Sequence, residues 1–360
     1  MNKLICLLLV FFDLHAHWMQ EQINRDLSPY KNAGISKSDL YEKFKTIPPE
    51  LFLIRFVIKN HTITTEKMFS TSSLDYRIES FTQAFAEVDS RWGLPDVEFY
   101  ILLHDGYGES YFFGDHLNDF PIFVMSRTHF PGQKVCSIFI PDFENLKSNY
   151  QVLENIDVTS YKSLWKKKKN QLVWRGSTAQ NVWYNYDPYC IGSPLMNESN
   201  CKIFSRYCLC ELSQNYPTLI DAKFTHLVDL DPAFALIKYF EGNWLSFEEQ
   251  FNYKYHILVN GNASPYSASC WKLFTNSLIF IPTSYVFQWY SAAMKPYVHY
   301  IPVNENLSDL VKKIQWAQKH DLECERLAKN CRKFAINNLQ REHSLQYIHM
   351  LLKQYSTYLK

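Results

Sequence analysis

A chain of 360 residues is long enough for two domains of ordinary size, and 47% hydrophobic residues against 20% charged ones exclude disorder. Thirty-seven basic and 36 acidic residues leave a net charge of +1, so the sequence carries no basic footprint for nucleic acid. The nine cysteines form no Cys-x-x-Cys pair, which argues against structural zinc.

In chain order, Lys3 precedes an apolar run from Leu4 to Phe12. The run is too short to cross a bilayer as a helix but has the length of a signal-peptide core, with Ala16 near a cut. The competing reading is a buried first strand or helix. Residues 1–20 are therefore set apart as a signal or membrane-anchor segment. This leans toward a secretory or membrane-associated chain, with peripheral attachment to the cytoplasmic face of a bacterial membrane as the alternative. Residues 18–45 are polar and suit helices, with Ser36 and Ser38 as N-caps. Leu51–Ile58 and Thr62–Phe69 alternate as strands do. Ser73–Trp92 is an amphipathic helix with Ile78, Phe81, Phe85 and Val88 on one face. Asp96–Leu103 is a strand ending at His104-Asp105-Gly106, and Phe120–Met125 and Val135–Ile140 are two more.

The lysine-rich connection Tyr150–Asn170 marks a domain boundary. Beyond it the alternation resumes with strands at Leu172–Trp174 and Leu278–Ile281. Helices follow at Leu307–Gln318, Asp321–Leu339 and Glu342–Leu359. Alternating strands and helices give an α/β chain. Cys201, Cys208 and Cys210 cluster with Cys190 nearby, as either a local disulfide knot or reduced thiols.

Three places carry the chemistry. Asp105 lies just past a strand end, where α/β sheets bind ligands. It is either a general base for an acceptor hydroxyl or a turn aspartate bonded to its own backbone. Arg175, Gly176 and Ser177 follow a buried strand. They suit a diphosphate, or Arg175 closes a turn with a neighbouring carboxylate. The loop from Asn260 to Ser267 is rich in small and hydroxyl residues and precedes a helix, whose first amides bind anions well. Asp229 and Asp231 form an Asp-x-Asp pair too short to count as a metal site. Lys166–Lys169 reads as a solvated edge. No His-x-x-x-His pair or Walker-type loop is present.

From about Asp96 to Leu339 the chain resembles glycosyltransferase family 90, in DVEFYILLHD, FPIFVMSRT, KKNQLVWRGS, LIDAKFT, FNYKYHILVNGNAS and WYSAAMKPYVHYIPVNENLSDL. That family includes protein O-glucosyltransferases, capsule-associated xylosyltransferases and bacterial lipopolysaccharide glycosyltransferases. The segment Ile138–Glu144 is more similar to the bacterial branch. The resemblance implies a GT-B fold, two Rossmann-like domains facing across a cleft: residues 21–160 on the acceptor side and 161–340 on the donor side, with 341–360 as a closing helix. It implies Asp105 as catalytic base, and Ser126 and Arg127 on the acceptor side. Donor binding falls to Arg175, Gly176, Ser177, Asn262, Ala263, Ser264, Pro265, Tyr266 and Ser267. Two positions depart from the family's pattern. His104 stands where arginine commonly precedes the aspartate. Ser267–Cys270 stands where the donor loop usually carries arginine, leaving Lys272 as the nearest cation.

The expected activity is inverting transfer of glucose or xylose from a UDP-sugar to a hydroxyl of lipopolysaccharide or another surface glycan, with no metal and no cofactor. The alternatives are a protein O-glucosyltransferase acting on serine of secreted domains, and a non-catalytic glycan-binding protein on the same scaffold.

Overall fold

A computed structural model describes residues 17–105, 107–108, 120–132, 134–147, 165–180 and 195–360. The N-terminal apolar run Leu4–Phe12 and most of the lysine-rich connection lie outside the described residues. Among the described residues no helix is long and apolar enough to cross a membrane. The chain divides into two compact units.

Unit 1 comprises residues 1–150, 286–293 and 337–360. Its sheet has five strands, β1 (Leu53–Lys59), β2 (Thr62–Lys67), β3 (Val97–Leu102), β5 (Ile122–Val124) and β7 (Ile138–Phe139), in the order β2-β1-β3-β5-β7. A second, small sheet holds β4 (Tyr107–Gly108), β6 (Arg127–Thr128) and β12 (Val286–Phe287). Strand β1 is antiparallel to β2 and β3, while β3, β5 and β7 run parallel. The β1–β2 hairpin turns through Asn60 and His61, both at positive φ (47° and 62°). Two such residues give a primed turn whose twist matches the strands. The Asn60 amide donates to Asp96 Oδ1 at 2.8 Å, which holds a turn that carries no glycine.

The helices of unit 1 are α1 (17–27), α2 (Lys37–Thr46), α3 (Asp75–Trp92), α4 (Phe143–Leu146) and, after the return of the chain, α10 (Arg341–Ser356). As its apolar stripe predicts, α3 buries Phe81, Phe85 and Val88, and leaves Ile78 half-buried. Phe85 meets Phe56 and Phe99 edge-on, with centroids 5.1 and 5.2 Å away. Such aromatic pairs add about 0.5–1.5 kcal/mol each beyond their buried area. This packing fixes α3 against β3, a point that matters below.

Unit 2 comprises residues 151–285 and 294–336. Its strands are β8 (Lys169–Ser177), β9 (Ile220–His226), β10 (Tyr253–Ile257), β11 (Leu278–Pro282) and β13 (Ile301–Val303). They form one sheet in the order β13-β11-β10-β8-β9, and every pairing is parallel. Numbered along the chain that order is 2-1-3-4-5, a doubly wound sheet whose winding reverses between β8 and β10. Its helices are α5 (Ser205–Asn215), α6 (Phe247–Phe251), α7 (Tyr266–Lys272), α8 (Leu310–Lys319) and α9 (Asp321–Asn338), the last of which runs on into unit 1. Leu172, Trp174, Phe224, Tyr255, Ile257 and Phe280 form the middle of the core. The α/β expectation is met, with one sheet of five strands in each unit.

The seven described cysteines, including Cys201, Cys208 and Cys210, carry free thiols. Cys190 lies outside the described residues. Lys168 is not part of a solvated edge. It is buried, donates to Ser277 Oγ at 2.6 Å, and burial together with the Arg332 charge pushes its pKa down to about 7.

Candidate functional site

In unit 1, helix α3 runs back along β3, so its first turn lies at the carboxyl end of that strand. Asp105 sits three residues past β3 and two before β4, which pairs in parallel with β6. The bend holding it is thus tied to a sheet at each side. Arg77, from the first turn of α3, donates through Nη2 to Asp105 Oδ1 at 2.5 Å and through Nη1 to the Leu103 carbonyl. Asp105 is about one-third exposed and Arg77 is buried. Asp105 therefore combines access with a fixed partner.

Ser126 and Arg127 follow the carboxyl end of β5, and both are buried. The Arg127 guanidinium donates to the Ser137 carbonyl at 3.0 Å, lies 3.4 Å from Asp26 Oδ1, and stacks 4.1 Å from the Phe139 ring. Asp26 also accepts from the Phe139 amide and from Gln22. Burial raises the Asp26 pKa against the pull of Arg127. Arg127 thus joins helix α1 to β7.

In unit 2, the switch point between β8 and β10 is where an open α/β sheet offers a ligand crevice. Ser177 ends β8 there, and the loop from Asn260 to Pro265 follows β10 there. Arg175 lies within β8 and turns along the sheet. Its Nη2 meets Asp221 Oδ1 at 2.9 Å, its Nη1 donates to the Trp174 and Asp221 carbonyls, and its Nε donates to the Asn243 carbonyl. Beside it, the space that a Cβ on Gly176 would take is filled by the Trp174 indole.

The cation that reaches both loops is Arg206, in the first turn of α5. Its Nε donates to the Asn260 carbonyl at 2.9 Å, and its Nη1 donates to the Ser177 carbonyl at 3.0 Å and to Ser177 Oγ at 3.1 Å. Gln180 fixes the helix start, accepting from the Arg206 amide and donating to Ser205 Oγ. A Cβ on Gly261 would lie 2.5 Å from Arg206 Nη2, so a larger residue there must displace the guanidinium.

Lys272, at the end of α7, is buried and donates to the Ile257 carbonyl at 3.1 Å. Burial, and then the Arg206 charge, push its pKa down to about 7. Burial alone pushes Arg206 down to about 10 against a small upward pull from Cys210. Among the described residues neither cation has a carboxylate partner. Asn262, Ser264 and Pro265 are half-buried, Ala263 and Tyr266 are buried, and Ser267 is exposed. Pro265 is the N-cap of helix α7, which has no side-chain cap bond. Among the described residues no three His, Cys, Asp or Glu side chains gather as a metal site.

Two cations at a switch point, without a carboxylate partner among the described residues, can hold an anion, and the low pKa of Lys272 makes that binding depend on pH. An anion favours the charged ammonium, so affinity rises as pH falls through about 7 and drops as pH rises above it. Sulfate, whose charge is constant from about pH 6 to 9, is expected to protect against thermal unfolding most at the acid end of that range. Lys272→Met should flatten this dependence. An unchanged slope in that variant would remove Lys272 from the site.

The chain matches the family model described as glycosyl transferase family 90 over residues 16–360. It is 25% identical over 355 residues to protein O-glucosyltransferase 2 of Danio rerio, covering 96% of this chain and 63% of that protein. It is 38% identical over 111 residues to the uncharacterized protein 179R of Invertebrate iridescent virus 6, covering 29% of this chain and 9% of that protein. The chain thus spans less than two thirds of these relatives. Among solved structures it is similar to Anabaena HepE, crystallised with UDP-glucose, at a TM-score of 0.39 and 9% identity, covering 68% of this chain and 66% of that one. That likeness is too distant to bear on this chain.

Proposed function

We propose that this chain, which belongs to glycosyltransferase family 90, transfers glucose from UDP-glucose to a hydroxyl group with inversion at the anomeric carbon. The observation that carries the reading is Arg206, bonded to the ends of both loops at the switch point of a doubly wound sheet, with Lys272 as second cation. A diphosphate supplies the negative charge that this pair lacks among the described residues. Arg206, Ser177, Lys272 and the amides of Asn262, Ala263, Ser264 and Ser267 hold it, while Arg175 secures the strand beneath through Asp221.

In the reaction, Asp105 takes the proton of the acceptor hydroxyl. The freed oxygen lone pair forms the bond to the anomeric carbon. The bond from that carbon to the diphosphate oxygen breaks, and its electron pair leaves with UDP. Stabilising that departing charge is usually the largest contribution in such a site. In this reading the two cations offset it and no metal is needed.

A protein hydroxyl is the favoured acceptor, because the zebrafish relative, which aligns with 96% of this chain, is named a protein O-glucosyltransferase. A lipopolysaccharide or glycan hydroxyl is the second reading, favoured by the segment Ile138–Glu144. Thermal melting against UDP, UDP-glucose, UDP-xylose, UDP-galactose and GDP-mannose tests the donor. A ligand at 100 times its Kd stabilises by about 2.7 kcal/mol, a shift of several degrees. UDP and UDP-glucose are expected to give it. A folded sample that responds to none of the five would leave a non-catalytic glycan-binding protein.

A further inference from the structure

We infer that Arg77 is a positioning residue for the transfer reaction, fixing the carboxylate of Asp105 toward the acceptor. The inference rests on the reading of Asp105 as base and adds a residue that acts through it.

The geometry is specific. Arg77 reaches the carboxyl end of β3 from the first turn of α3, 28 residues upstream of Asp105. Its side chain is only 9% exposed. Nη2 holds Asp105 Oδ1, Nη1 holds the Leu103 carbonyl, and Nε donates to the Tyr76 hydroxyl at 2.9 Å. The Phe143 ring lies 4.5 Å from the guanidinium carbon. The guanidinium therefore has little freedom of its own. Its helix is fixed as well, through Phe81 and Phe85 in the core.

The Nη2 arm ends on a carboxylate that is about one-third exposed and so still open to an acceptor. What that arm does supply is direction. An aspartate in a surface bend samples several rotamers, and a base must lie in line with the hydroxyl it deprotonates. One oxygen pinned by a rigid donor sets the plane of the carboxylate.

The test uses the full chain and the release of UDP from UDP-glucose with water as acceptor. Arg77→Met should lower kcat between about 10- and 100-fold, the scale of misplacing a catalytic group by about 1 Å. The Kd for UDP should stay within about twofold, because the effect falls on the chemical step. Arg77→Lys should recover part of the rate. In an Asp105→Asn background, Arg77→Met should cost no more than about a further twofold, since two groups acting as one unit do not add. Losses that add in the double variant would overturn the proposal, as would wild-type kcat in Arg77→Met. Asp105→Asn with full kcat would instead sink the base reading beneath it. If Arg77→Met melts below the assay temperature, Arg77→Lys decides. Reduced kcat at unchanged UDP affinity supports the role, and unchanged kcat overturns it.

Discussion

Asp105→Asn is expected to lower sugar transfer by about 10²- to 10⁴-fold, with UDP binding unchanged. That range corresponds to about 3–5 kcal/mol in the barrier. The substitution is close to isosteric. The carboxamide oxygen can still accept from Arg77 Nη2, so the bend between β3 and β4 keeps its bond to α3. What is lost is the ability to take a proton. The loss should therefore appear in kcat, and the melting temperature should fall only modestly, because the buried Arg77 guanidinium keeps an oxygen acceptor although it loses its counter-charge. A variant that melts normally and turns over at the wild-type rate would return Asp105 to the role of a turn aspartate. A variant that fails to fold would show that the pair with Arg77 matters mainly to the fold, and Asp105→Glu would then carry the kinetic test.

The two candidate regions differ in how much of them a sequence can show. Asp105 is legible because a fully buried run, Val97–Leu102, stops just before it, and strand ends are where α/β sheets do chemistry. The face of α3 is legible from its spacing. Its partner Arg77 is not, because an arginine in the first turn of an amphipathic helix looks like any solvated charge. Only the antiparallel packing of α3 on β3 brings it to the strand's end. Arg206 is harder still. It lies 29 residues beyond Ser177, and nothing local distinguishes it. The signal that finds it is topological: the crossover helix after the first strand of a 2-1-3-4-5 sheet starts at the switch point. Arg175 and Arg127 show the converse. Each stands in a conspicuous motif, yet each is turned toward a carboxylate, Asp221 or Asp26, that only the folded pairing identifies.

Arg206→Met should weaken UDP binding by about 10- to 150-fold, the range set by about 1.5–3 kcal/mol for a hydrogen bond to a charged group. Two effects combine. The guanidinium no longer meets the diphosphate, and the Asn260 and Ser177 carbonyls lose the donor that ties them together. Arg175→Met separates these ideas. Its bonds run to Asp221 and to backbone carbonyls within unit 2, and its side chain is 9% exposed. Removing it leaves the Asp221 carboxylate with only the Tyr253 hydroxyl among the side-chain partners described, so the melting temperature should fall. UDP affinity, measured well below that temperature, should hardly move. The reverse pattern, with Arg175→Met abolishing binding and Arg206→Met sparing it, would move the diphosphate from the start of α5 to the strand itself. Gly261→Ala offers a gentler version of the same question. The added methyl would sit 2.5 Å from Arg206 Nη2, so the guanidinium must shift while keeping its charge. A loss of UDP affinity in that variant, with its fold intact, would show that the direction of the guanidinium matters as well as its charge.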